Sequence, residues 1–176
     1  YYYMLTVARG GALAFSEEMM IRRLHHLFYS GVDDEQAGCY RNHQVFISGT
    51  EYVPPKPEDV PDLMAQLVIE LNKKKDQMHP VLLAAFAHRR LVDIHPFTDG
   101  NGRTARLLMN LVLVNKGYCI VSIPPIFRID YISSLIAAHR AENPTDRPFN
   151  TLIAEFELEA QRDYGRTFAM DLSDLI

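Results

Sequence analysis

From Leu107 to Val114 the chain reads Leu-Leu-Met-Asn-Leu-Val-Leu-Val, which leaves almost no polar face however it coils. A helix that is apolar all round must be buried on every side. The run falls far short of the ~20 apolar residues that a membrane span needs. It therefore predicts the central helix of a helical bundle, starting near Asn101 or Gly102 and ending at Gly117, a suitable left-handed C-cap.

The flanking pattern is helical as well. Ser16 can cap a helix running to about Tyr29, which Ser30-Gly31 ends. A polar loop, Val32 to Gly38, follows. Asp59 starts another helix, with Pro61 in its first turn and Leu63, Leu67 and Leu71 on its buried face. His79-Pro80 opens a third, which Pro96 should stop at His95 because the residue before proline disfavours helical geometry. Two more helices are expected, about Asp130 to Ala141 and about Phe149 to Met170. One segment reads differently. In Val45 to Val53, two β-prone runs flank Ser48-Gly49, a short hairpin, and Pro54-Pro55-Lys56-Pro57 is stiff and extended. The expected fold is mainly α, one domain over residues 1–176 with its core at about 16–164. The chain starts Tyr1-Tyr2-Tyr3 without methionine, which leaves open a longer parent polypeptide.

Composition narrows the function classes. A net charge of −4 over 176 residues, with both signs spread along the chain, argues against direct nucleic-acid binding. No signal peptide or membrane segment is visible. The 2 cysteines, Cys39 and Cys119, are far apart and read as free thiols, so a cytoplasmic location is the default.

The chemistry concentrates in His95-Pro96-Phe97-Thr98-Asp99-Gly100-Asn101-Gly102-Arg103-Thr104-Ala105-Arg106, a loop running into a helix N-terminus. Gly100 and Gly102 let backbone N–H groups approach a ligand closely. The helix N-terminus adds partial positive charge. Arg103 and Arg106, three apart, share a face. Such donors suit a polyphosphate. Asp99 would repel a bare phosphate but could share Mg²⁺ with one. His95 can take a proton from an attacking hydroxyl. Each feature alone has an ordinary structural explanation: a histidine before proline, an Asp-Gly turn, arginines on a solvated helix face. Their contiguity in this order points to transfer at phosphorus. The loop lacks the Gly-Lys-Ser/Thr ending of a Walker motif.

These twelve residues resemble the signature of the Fic family (filamentation induced by cyclic AMP), H-P-F-x-D/E-G-N-G-R-x-x-R, at every fixed position. The Val45–Val53 segment with Pro54 to Pro57 is similar to the family's flap, and Gly38-Cys39-Tyr40-Arg41 also resembles the family. The resemblance implies a Fic-type helical bundle and a protein adenylyltransferase that moves AMP from ATP to a Ser, Thr or Tyr hydroxyl. It implies that His95 is the base and that Asp99 holds Mg²⁺. Gly100, Asn101, Gly102, Arg103 and Arg106 would bind the phosphates, and Phe97 would anchor the loop. Flap residues Val45, Phe46, Ile47, Ser48 and Gly49 would dock the target protein by strand addition. Ile47 reads equally well as a flap contact or as a core residue. The base pocket is sought after Tyr118, with His139 among the candidates. Alternatives are removal of AMP from modified proteins and a non-catalytic nucleotide-binding regulatory module.

Many Fic proteins are restrained by a helix bearing S/T-x-x-x-E-G/N, whose Glu pairs with the second arginine, here Arg106. Thr151 to Glu155 begins such a motif, but Phe156 follows. Ala138 to Asn143 has Glu142-Asn143 without the hydroxyl residue. The inhibitory helix is therefore expected upstream of Tyr1, on a partner protein, or absent.

Overall fold

A computed structural model describes residues 2–9, 20–139, 142 and 144–169. Among these the helices are α1 (Tyr2–Arg9), α2 (Arg22–Tyr29), α3 (Val60–Lys74), α4 (Pro80–Ile94), α5 (Asn101–Asn115), α6 (Arg128–Ile136) and α7 (Arg147–Thr167), with short 3₁₀ turns before α3, before α6 and after α6.

The apolar run forms the centre of the molecule. Leu108, Met109, Leu111, Val112 and Leu113 of α5 are all fully buried. Helix α4 folds back along α5 as its main neighbour. Helices α1 and α2 also pack on α5, while α3 and α7 pack on α4, and α6 on α7. Buried Leu67 and Leu71 hold α3 in place; Leu63 packs against the core only in part. At roughly 25 cal/mol per Å² of apolar surface, each fully buried Leu contributes on the order of 2 kcal/mol.

The helix ends follow local chemistry. Helix α4 starts with Pro80 at its first position, and the His79 side chain accepts the Val81 N–H. Helix α5 ends in a Schellman motif: Gly117 (φ 82°) donates to Val114 O and Tyr118 to Leu113 O. The Ser16 start of the helix before Tyr29 lies outside the described residues. Helix α1 is not evident from the sequence pattern, although Tyr3 and Val7, one turn apart, pack on the core.

The predicted hairpin is not formed. No strand occurs among the described residues; residues 42–56 form no regular element, with a bend at 42–43 and a turn at Ser48-Gly49, where Gly49 has φ 86°. The reason lies in the sequence. The Tyr52 N–H, which would face Val45 O across such a hairpin, is bonded to the Thr50 hydroxyl at 3.1 Å. Instead the Gln44 side-chain amide donates to Val45 O (3.1 Å) and Pro54 O (3.0 Å), one at each end of the segment.

Candidate active site

Helix α4 ends at His95 in the left-handed conformation, φ 51° and ψ 58°. Three hydrogen bonds hold this residue. Its N–H donates to Leu91 O, its ring Nδ1 lies 3.1 Å from Val92 O, and its carbonyl accepts from Arg41 Nε at 2.8 Å. A carbonyl can only accept, so Nδ1 carries the proton and Nε2 keeps a lone pair. Burial lowers the imidazole pKa, partly offset by the Val92 bond. The result is a neutral imidazole whose free nitrogen is a proton acceptor.

The loop after His95 is anchored from beneath. Phe97 is fully buried and stacks on His25 at 3.9 Å, with ring planes 5° apart. His25 is itself buried: its Nδ1 accepts the Gly38 N–H at 2.8 Å. That leaves Nε2–H to donate to Asp99 O at 3.1 Å. Asn101 departs from its predicted role. Its side chain is buried and spans the loop, accepting from Phe97 N (2.9 Å) and donating to Phe97 O (2.8 Å). Only its backbone remains for a ligand.

Gly100 caps α5 at φ 76°, and no side chain caps the helix N-terminus. The first N–H groups of α5 thus have no acceptor from a capping side chain. Arg103 reaches Asp99 at 3.5 Å across the exposed mouth, and its guanidinium lies 5.0 Å above the Phe28 ring. Arg106, one turn on, lines the grooves on both sides of itself, one shared with Arg103 and Phe28, the other with Arg128 and Tyr131. A chain of donors supports it. Arg106 hydrogen-bonds Tyr131, and the Tyr131 hydroxyl lies 3.2 Å from His88 Nε2. His88 is fully buried, and burial, then the Arg106 charge, push its pKa down to about 3. It stays neutral beneath the cationic face.

A cleft of about 210 Å³ opens beside His95 and Gly102. Ile47, Ser48, Thr50 and Tyr52 form one wall, and Tyr131, Ile132, Leu135, Ile136 and His139 the other. Ile47 faces this cleft rather than the core. Phe46 is 75% exposed. At the floor, buried Asp93 pairs with Arg89 (2.7 Å) and His139 (3.0 Å), and His139 stacks on Tyr52 at 3.9 Å. Among the sequence candidates, His95 and residues 99–106 therefore meet at one mouth, with His139 and the Val45–Gly49 segment facing it. His25 and Tyr131 are not among the sequence candidates, and Arg41 is one only as the end of the Gly38–Arg41 stretch that resembles the family, with no role attached. The available signal for His25 was a histidine on an otherwise apolar stripe with Ile21, Leu24 and Phe28. Thr151 and Glu155, the partial inhibitory motif, lie exposed on α7. The Ala138–Asn143 stretch falls partly outside the described residues.

The geometry agrees with the comparisons. The Fic/DOC family model matches residues 15–113, more than half of the chain. This chain belongs to the Fic/DOC family. Proteins named protein adenylyltransferase Fic are similar over 136 residues: 42% identical in Drosophila mojavensis and 43% in Drosophila ananassae, covering 77% of this chain and 26% of each relative. The chain thus spans about a quarter of the length of these curated relatives. Among solved structures, a Fic-domain-containing signalling protein from Bacteroides thetaiotaomicron superposes with TM-score 0.81 at 29% identity, covering 90% of this chain and 65% of that one. Fic-1 from C. elegans superposes with TM-score 0.77 at 33% identity, covering 94% and 49%. The mainly helical fold is the Fic fold.

Proposed function

We propose that this Fic domain transfers AMP from ATP to a Ser, Thr or Tyr hydroxyl of a target protein and releases pyrophosphate. The observation that carries the reading is the His95 imidazole: Nδ1 fixed on Val92 O, Nε2 free, next to an uncapped helix N-terminus. In the reaction, His95 Nε2 takes the hydroxyl proton as the target oxygen attacks the α-phosphorus. The new O–P bond forms, and the bond from the α-phosphorus to the bridging oxygen breaks. Charge develops on the leaving pyrophosphate, where Arg103, Arg106 and the N–H groups of Gly100, Asn101 and Gly102 stabilise it. The nucleoside lies in the cleft between the flap wall and α6, with Tyr52 and His139 as its aromatic side.

Mg²⁺ fits the residues present in one respect. Among the described residues no three His, Cys, Asp or Glu side chains cluster to hold a metal. Mg²⁺ needs no such cage, since it is commonly held by one or two carboxylates plus substrate phosphates. Asp99, exposed at the mouth and 3.5 Å from Arg103, is the carboxylate beside the phosphate loop. Bound there, the ion would supply charge neutralisation on the phosphates.

The 42–56 segment, which borders the cleft beside His95, supports target docking. Its backbone is unpaired by any ladder, so a target strand can add to Val45, Phe46, Ile47, Ser48 and Gly49. An inhibitory glutamate from an upstream segment or a partner would compete for Arg106. No described helix is long and apolar enough to cross a membrane, and the free thiols suit a reducing cytoplasm. The test is labelling of protein by α-labelled but not γ-labelled ATP, with Mg²⁺ present. Label retained by His95→Ala would end this reading.

A further inference from the structure

Arg41 is a charged residue only 2% exposed, and its guanidinium faces carbonyls in place of a carboxylate. Its Nε donates to His95 O (2.8 Å), Nη1 to His43 O (3.0 Å) and Nη2 to Pro55 O (2.6 Å). Its own peptide N–H donates to Pro96 O at 2.9 Å. His43 and Pro55 are the two feet of the flap segment, and His95 is the base. One side chain therefore joins both ends of the docking segment to the residue that must meet the docked hydroxyl.

We propose that Arg41 is a positioning residue that fixes the flap relative to the His95 imidazole and so sets where a docked hydroxyl stands against its base. The inference rests on the proposed AMP transfer and goes beyond it.

The strain at His95 gives the proposal its force. A non-glycine residue at φ 51° costs on the order of 1 kcal/mol and persists only where its surroundings hold it. Two of the three hydrogen bonds holding His95 come from α4 itself, to Leu91 and Val92. The third comes from Arg41, which precedes the flap and bonds both of its ends. Moving the flap feet therefore pulls on the His95 carbonyl, and turning His95 pulls on the feet. A lysine cannot reproduce this, because one ammonium cannot occupy the three separated donor positions of a planar guanidinium. Displacement of a reacting group by about 1 Å can cost on the order of 100-fold in rate. The phosphate cradle at residues 99–106 makes no contact with the Arg41 guanidinium in this bonding scheme, so ATP affinity is a separate quantity.

The decisive experiment compares the whole chain with Arg41→Lys, Arg41→Gln and Gln44→Ala. Amide hydrogen exchange reports on residues 44–53, and NMR of the ring reports on His95. Steady-state AMP transfer gives kcat and the KM for target protein, and calorimetry gives ATP affinity. Arg41→Lys should speed flap exchange, shift the His95 ring signals, lower kcat roughly ten- to hundredfold and raise target KM, with ATP affinity within about twofold. Gln44→Ala loosens the flap but leaves the grip on His95, so it should raise KM without moving the ring signals. Arg41→Lys with wild-type exchange and ring signals would overturn the proposal, as would a loss of activity that only tracks the folded fraction. If Arg41→Lys and Arg41→Gln both fail to fold, Arg41 is a folding residue and the proposal falls. Absence of AMP transfer in the wild type would remove the proposed function instead, and exchange and ring signals would still decide Arg41.

Discussion

Two glycines of the phosphate loop should respond oppositely to the same added methyl group. At Gly100, φ is 76°, and a Cβ would stand 2.9 Å from Phe28 Cζ, 3.1 Å from Phe28 Cε2 and 3.1 Å from His25 Nε2. Left-handed backbone costs a non-glycine residue about 1–2 kcal/mol. Overpacking adds about 1–3 kcal/mol, because His25 is locked between Gly38, Phe97 and Asp99 and cannot retreat. Gly100→Ala should therefore lose roughly 2–5 kcal/mol of stability, and for a domain of this size that lowers Tm by on the order of 5–15 °C. If the Phe28 ring moves to make room, the platform under Arg103 goes with it, so nucleotide affinity falls too. At Gly102 the backbone is ordinary helix, and the nearest atom to a Cβ is Arg106 Nη1 at 3.6 Å. Gly102→Ala should keep stability or gain about 0.4–1 kcal/mol through the unfolded state. It should nevertheless weaken ATP binding, because the methyl enters the cleft beside His95. Urea denaturation and calorimetric titration with ATP measure both quantities. Gly100→Ala within about 0.5 kcal/mol of wild type, or Gly102→Ala with unchanged ATP affinity, would refute the assignment of one glycine to fold and the other to ligand.

Because burial lowers the His95 pKa from its ordinary 6.5, the neutral base persists into mild acid. The rate should rise with pH through a midpoint below that value and then level off, and a pH profile with its midpoint at or above 6.5 would contradict this. His88 titrates at about 3 when folded and near 6.5 when unfolded. Between those values the unfolded chain binds the extra proton, so stability falls with decreasing pH by up to about 1.4 kcal/mol per unit. His88→Gln should flatten that slope in urea denaturation at pH 7 and pH 5; an unaltered slope would count against it. Asn101→Ala leaves Phe97 N–H and C=O buried without partners and should cost on the order of 2–4 kcal/mol. Asn101→Asp, which keeps the acceptor, should lose less of the melting temperature, and equal losses would deny the loop-spanning role.

What could be read in advance was whatever the chain decides over a few residues. Pro96 stops α4 at His95, Gly117 closes α5, and eight nearly unbroken apolar positions force α5 inside; none of these depends on a distant partner. The hairpin does not form despite the β-propensity of Val45–Val53, because the Gln44 and Thr50 side chains offer its backbone local partners. Strand propensity expresses itself through a partner strand, and here nearby side chains bond the Val45 carbonyl and the Tyr52 N–H that would face each other. Helix α1 escaped because Tyr2 to Arg9 has only one turn's worth of pattern, with Tyr3 and Val7 its inward pair.

The site divides along the same line. Its ligand-facing donors are contiguous, so the motif exposes them; the groups that hold those donors are remote. His25 meets Asp99 across 74 residues and Arg41 meets His95 across 54. The stripe that holds His25 and the family-like stretch that ends in Arg41 are visible locally, but neither says which distant carbonyl its side chain meets. Asn101 shows how adjacency misleads. Its place between two glycines suggests a phosphate ligand, yet the turn that frees the backbone N–H groups needs its own carbonyl and N–H bonded, and only the Asn101 side chain is close enough to bond both at Phe97. The residue that looks most like a ligand is thus spent on shaping the ligand site, while the base is held by α4 and by Arg41, and the loop after it by His25 of α2. A twelve-residue motif specifies which atoms face the nucleotide; the precision of their placement depends on side chains that only the folded chain brings together.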